Sequence, residues 1–181
     1  MFRRTAFFVF CVSVLAAGTA AAQPLVDAAW IRENLFSDRL RILDVRSERE
    51  YQRVHIAGAV HARYPGRWRV PGRDRIPRLP SPEAFAILAG NLGIGNRHHV
   101  VLVSRGESVG DIAVAAQLYW TFKAMGHDAV SILGGGMKAY LADSSTPRTN
   151  GRTVRPPQQF AVNFRPQLVA NAAHVRALLQ H

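Results

Sequence analysis

The chain has 181 residues, 48% of them apolar, a formal charge of +11 and one cysteine, Cys11. This length and apolar content suit a single domain with a proper core and exclude a disordered chain. One cysteine excludes an internal disulfide and any cysteine-cluster metal site.

Arg3 and Arg4 precede an apolar run over residues 6–17, and Ala20-Ala21-Ala22 supplies small residues before Gln23. The pattern reads as a cleavable secretory signal over residues 1–22, cut between Ala22 and Gln23. It is too short for a membrane span, which needs about 18 or more apolar residues. Thr19 stands where a lipoprotein signal would carry its cysteine, and Arg3-Arg4 lacks the rest of a twin-arginine signal. A periplasmic or secreted product with no membrane span is expected. Cleavage lowers the charge to +9, since Arg3 and Arg4 leave with the signal. It also removes Cys11, so the mature chain has no thiolate nucleophile.

A short strand at residues 25–27 leads into a helix over 28–36, with Trp30, Ile31 and Leu35 as its apolar contacts. Residues 41–46 form a second strand whose polar end carries Asp44 and Arg46. Ser47 caps a short helix over 48–51, with acids in the first turn as the helix dipole favours. Residues 55–61 turn into another strand. Residues 63–80 hold six arginines, four prolines and a single acid, Asp74, and read as a long loop. Ser81 and Pro82 are a cap and a first-position proline for a helix that stops near Gly93.

The central unit is residues 99–126. Val100-Val101-Leu102-Val103 is an unbroken apolar run rich in β-branched residues, the mark of a strand buried on both faces of a parallel sheet. A polar loop follows, and Ser108 with Asp111 has capping-box spacing for a helix starting at Val109. That helix is apolar on nearly every side, which predicts packing between other elements. A last strand spans 129–133, and Gly134-Gly135-Gly136 turns into a helix ending near Leu141. Strands alternating with helices imply a three-layer α/β domain over residues 23–143, with a five-stranded parallel sheet. Its crevice should open at the strands' carboxyl ends, at Asp44, Arg46 and Ser104.

Residues 144–166, rich in Ser, Thr, Pro and Arg, read as a flexible linker. Residues 168–179 repeat 25–35 with one insertion, which reads as the start of a truncated second repeat at 167–181. Protease is then expected to leave a core ending near Leu141.

Strand, tight loop and helix N-terminus bring backbone N–H groups together at Ser104, Arg105, Gly106, Glu107, Ser108, Val109 and Gly110, a candidate seat for a small anion. Asp44 with Arg46 fits a substrate contact or, more commonly, a pair locking adjacent loops. His98 and His99 point to opposite faces of a strand, so no metal site is expected, and no cofactor. The segment Val103-Ser104-Arg105-Gly106 lacks the Gly-x-Ser-x-Gly elbow of a serine hydrolase.

Leu43-Asp44-Val45-Arg46 and the run from Glu50-Tyr51 through His55-Ile56-Ala57-Gly58-Ala59-Val60 resemble the first signature of the rhodanese superfamily, with Ala57 in place of its usual proline. Val130 to Tyr140 resembles its closing motif, with Gly134 where an acid is usual. Leu79-Pro80-Ser81-Pro82-Glu83 and Leu92-Gly93-Ile94 are similar to the first half of tandem thiosulfate/3-mercaptopyruvate sulfurtransferases. The resemblance implies a persulfide-carrying cysteine at the position of Ser104 in active domains, and a structural turn role for His55 and Gly58. In tandem members the second domain supplies the cysteine, so this chain is expected not to transfer sulfur alone. A Ser104→Cys change should create a thiol of lowered pKa; it need not restore turnover, since Glu107 and Asp111 bring negative charge.

Two functions stay open: the non-catalytic half of an exported sulfurtransferase, or a complete cysteine-free module binding an anion or a protein partner. The coding sequence past codon 181 separates them. Partners implied are a catalytic C-terminal rhodanese domain or an acidic protein; export excludes nucleic acid. The arginine-rich loop also fits an anionic lipid surface or plain solvation.

Overall fold

In the computed structural model, residues 22–72, 76–170 and 172–179 are described. The expected export signal, apart from Ala22, lies outside them, as do Arg73, Asp74 and Arg75 of the arginine-rich loop. The elements run β1 (Leu25–Val26), α1 (Ala28–Asn34), β2 (Leu40–Asp44), α2 (Glu48–Arg53), β3 (His55–Ile56), β4 (Val60–His61), β5 (Val70–Pro71), β6 (Pro77–Arg78) and α3 (Pro82–Asn91). They continue with β7 (His99–Val103), α4 (Val109–Ala124), β8 (Val130–Leu133), α5 (Gly136–Ala142), β9 (Arg148–Thr149) and α6 (Ala172–Leu178).

The main sheet is five-stranded and all parallel, in the order β1-β8-β7-β2-β4. The apolar run of β7 takes its middle, where Val100 to Val103 are fully buried. Alternation along each strand splits the core in two. Leu43, Val100 and Leu102 face Phe85 and Leu88 of α3 and Leu118 and Phe122 of α4. Ile42, Val101 and Val103 face Ile31 of α1 and Met137 and Tyr140 of α5. The α4 helix is not enclosed on every side: Leu118 and Phe122 are buried, but Ile112 and Trp120 are exposed. Part of the arginine-rich loop belongs to the core as well, because Trp68 packs tilted against Phe85 and Phe122 and donates its indole N–H to the Ala62 carbonyl at 2.9 Å.

The segment expected to be a flexible linker is an ordered strap along the domain. Its β9 pairs antiparallel with β3. Thr153 N–H donates to the Tyr51 hydroxyl at 3.0 Å, and Gln158 N–H to the Gly90 carbonyl at 3.0 Å. Asn96 holds the backbone of Ala161 on both sides, its amide donating at 2.7 Å and accepting at 2.8 Å. Phe160 is 92% buried, edge-on to Phe85 at 5.6 Å. Arg165 ends the strap on Asp128 at 2.6 Å, and both Arg165 and Lys123 hold that carboxylate well below the usual range. Most of these bonds join backbone to backbone or to one polar side chain, so the segment shows neither helical nor strand periodicity. At Gly90, inside α3, the strap presses close: a Cβ there would lie 2.4 Å from the Gln158 carbonyl oxygen.

Beneath the strap, His98 and His127 are buried, each with an Nε2 that has no hydrogen-bond partner among the described residues. His98 Nδ1 accepts from Gly95 N–H at 2.7 Å, so its proton sits on Nε2. Burial first, then Arg41 and Arg97, push His98 down to about 4, and burial also lowers His99 and His127. A histidine with a depressed folded pKa contributes stability above its unfolded value of about 6.5 that is lost as pH falls toward the folded value. The thermal midpoint is therefore expected to drop by about 5 °C or more between pH 7 and pH 5. His98→Asn keeps an acceptor for Gly95 and should flatten that slope. A midpoint level across this range would contradict the assignment. Glu50 and Asp128, both held low, add acid lability only below about pH 4.5.

Candidate functional site

Three chain segments meet at the carboxyl end of β7. Ser104 follows the strand directly and is buried, and its carbonyl accepts from Met137 N–H at 2.8 Å while that of Arg105 accepts from Lys138 N–H at 3.0 Å. Gly106 has φ +81°, and a Cβ there would lie 1.8 Å from the Gly135 carbonyl oxygen. Only glycine fits so close an approach in the left-handed region. The loop is thus clamped onto the Gly134–Gly136 turn, and the glycine run of the closing motif serves that contact.

Ser108 caps α4 through a full capping box with Asp111, and the helix begins at Val109 as its spacing predicts. The Asp111 carboxylate accepts from Glu107 N–H at 3.1 Å, Ser108 N–H at 3.0 Å and the Ser108 hydroxyl at 3.0 Å. Donors expected to face an anion are therefore engaged by a carboxylate of the chain itself. Val109 and Gly110 form the exposed first turn.

Arg105 turns its guanidinium to Glu50 of α2, at 2.6 and 3.0 Å, and holds that carboxyl down to about 2. Asp44 and Arg46 form a buried ion pair at 2.6 Å, and Arg46 also donates to the Val54 carbonyl at 2.7 Å. This is the loop-locking arrangement: the pair ties the end of β2 to the end of α2.

Ser104, Tyr64, Arg63, Asp111 and Arg46 line a pocket of about 250 Å³. The Ser104 hydroxyl makes no hydrogen bond among the described residues, and no histidine lines the pocket. His55 and Gly58 do not enter it. His55 is buried, stacks on Tyr51 at 3.9 Å and faces Thr153 of the strap, while the Gly58 carbonyl accepts from Arg155 at 3.1 Å. Tyr64 escapes the sequence reading because only the folding of the arginine-rich loop brings it here. Asp111 is visible beforehand as a cap, but nothing in the spacing says that it would also take the loop's amide donors.

Residues 27–143 match the family described as Rhodanese-like domain. The chain belongs to the rhodanese-like domain family. Among relatives of this rhodanese-like chain, human 3-mercaptopyruvate sulfurtransferase is 29% identical over 170 residues, covering 86% of this chain and 56% of that protein. The rat 3-mercaptopyruvate sulfurtransferase is 31% identical over 158 residues, covering 80% and 52%. The crystal structure of SseA from Escherichia coli, a 3-mercaptopyruvate sulfotransferase, superposes with a TM-score of 0.73 at 25% identity, covering 88% of this chain and 63% of that one. The rhodanese-like chain spans about half the length of these curated relatives. Among the described residues, no helix is long and apolar enough to cross a membrane.

Proposed function

We propose that the chain is the non-catalytic, exported half of a thiosulfate or 3-mercaptopyruvate sulfurtransferase, with another domain supplying the sulfur-carrying cysteine. The observation that carries this reading is Ser104, at the end of the central strand, where the resemblance places the nucleophile. Sulfur transfer needs a thiolate that attacks sulfane sulfur and then leaves again. A serine hydroxyl stays protonated at neutral pH unless a base takes its proton; no histidine lines the Ser104 pocket, and its one carboxylate, Asp111, is engaged by Glu107 and Ser108 and not by Ser104. Residues 23–181 contain no cysteine to substitute for it. The relatives' greater length supports a second domain as partner. Arg3, Arg4, the apolar run at 6–17 and Ala20-Ala21-Ala22 support export to the periplasm or beyond.

Purified protein beginning at Gln23 is expected to show no sulfur transfer to cyanide from thiosulfate or 3-mercaptopyruvate above a buffer blank. Turnover that survives removal of contaminating sulfurtransferases, and disappears in Ser104→Ala, would overturn the proposal.

A further inference from the structure

A second concavity, of about 640 Å³, lies between α2 and α5; it shares Arg46 and Arg105 with the Ser104 pocket but Ser104 does not line it. Its volume is that of a small-molecule site. Arg49 and Arg53 come from α2, one turn apart, and Lys138 comes from α5. None of these three cations makes a hydrogen bond or ion pair among the described residues. Both carboxylates of the cleft, Glu50 and Glu107, are on Arg105, at 2.6 and 3.8 Å. The cleft's fourth arginine, Arg46, is neutralised by Asp44.

Two like charges at i and i+4 weaken a helix, and α2 has only six residues to hold them. The same pair is useful when an anion lies across it. The half-buried Val54 and Leu141 line the cleft beside the cations, so it offers apolar surface together with charge. We propose that this cleft binds a small organic polyanion: an apolar body on Val54 and Leu141, with separate acidic groups reaching Arg49, Arg53 and Lys138. The proposal goes beyond the sulfurtransferase reading and does not depend on it, because it uses neither Ser104 nor its loop amides.

Titration calorimetry at 25 mM NaCl, with the chain from Gln23, would test it using benzene-1,3,5-tricarboxylate, benzoate and tripolyphosphate as probes. The tricarboxylate is expected to bind at least tenfold more tightly than benzoate, which has one charge, and more tightly than tripolyphosphate, which has no apolar body. Arg49→Gln with Arg53→Gln, and separately Lys138→Gln, should each weaken it at least fivefold. Raising NaCl to 250 mM should weaken it about tenfold, as screening requires. Arg63→Gln, at the Ser104 pocket, should leave it within twofold. Three outcomes overturn the proposal: no binding of the tricarboxylate at 10 mM, equal or tighter binding of tripolyphosphate, or a loss caused by Arg63→Gln with none in the Arg49, Arg53 and Lys138 variants.

Discussion

Ending the chain at Asp143 is expected to abolish its cooperative thermal transition, whereas ending it at Val169 should leave the transition in place. The shorter variant loses Phe160, and removing a buried phenylalanine side chain alone costs about 3–5 kcal/mol. It also exposes Phe85 and His127 where Phe160 covered them, and strips Gly90, Asn96 and Tyr51 of their strap partners. Against a total domain stability of about 5–15 kcal/mol, those losses are decisive. The longer variant keeps Arg165 on Asp128 and loses only α6, whose Leu178 is exposed. Circular dichroism melts of the two variants beside the full chain would settle the matter. A sharp transition for the variant ending at Asp143, within a few degrees of the parent, would show that the strap is a passenger. Limited proteolysis should likewise trim residues beyond Val169 first and spare 144–165, moving the resistant end about 28 residues past the Leu141 expected from composition alone.

The second large effect is at Asp44. Asp44→Ala leaves Arg46 buried with a lone carbonyl acceptor, that of Val54. Breaking a buried ion pair from one side costs about 3–5 kcal/mol, because the surviving charge stays out of water without compensation. Urea denaturation should show this as a lower midpoint. Arg46→Met in the Asp44→Leu background should recover most of the loss, since replacing both partners removes the uncompensated charge. A single Asp44→Ala cost below about 1 kcal/mol would mean that the pair does not lock β2 to α2.

The sheet is legible in the sequence because burial on both faces leaves an unbroken signature. Val100 to Val103 could hardly be anything other than an inner strand, and capping residues at Ser47, Ser81 and Ser108 mark three helix starts by their own hydrogen bonds. Segments that are held by backbone contacts are not legible in this way. The strap around Phe160 reads as a linker because one aromatic ring in a Pro-rich stretch makes no pattern. Its nearest clue is on the other side of the contact, in Gly90, a glycine inside α3 where a side chain would collide with Gln158. Trp68 is hidden for a similar reason, since six surrounding arginines mask one buried ring. At the candidate site, the position of Ser104 follows from the strand and loop alone. The direction of Arg105 toward Glu50 and the use of the loop amides by Asp111 are tertiary facts.

The Asp111 carboxylate has a bearing on how such a domain changes over generations. A cysteine arising at 104 would share its pocket with that carboxylate, and the Glu107 and Ser108 amides would already be occupied. Nearby negative charge raises a thiol's pKa and so offsets the lowering expected from the loop and helix N-terminus, and the cysteine alone brings selection little to act on. Losing Asp111 first would free those amides but remove half of the capping box of α4, a handicap with no benefit while serine is still in place. Each step is neutral or harmful until the other has been taken. Positions 104 and 111 are thus coupled: a reactive thiolate in this loop calls for both substitutions together.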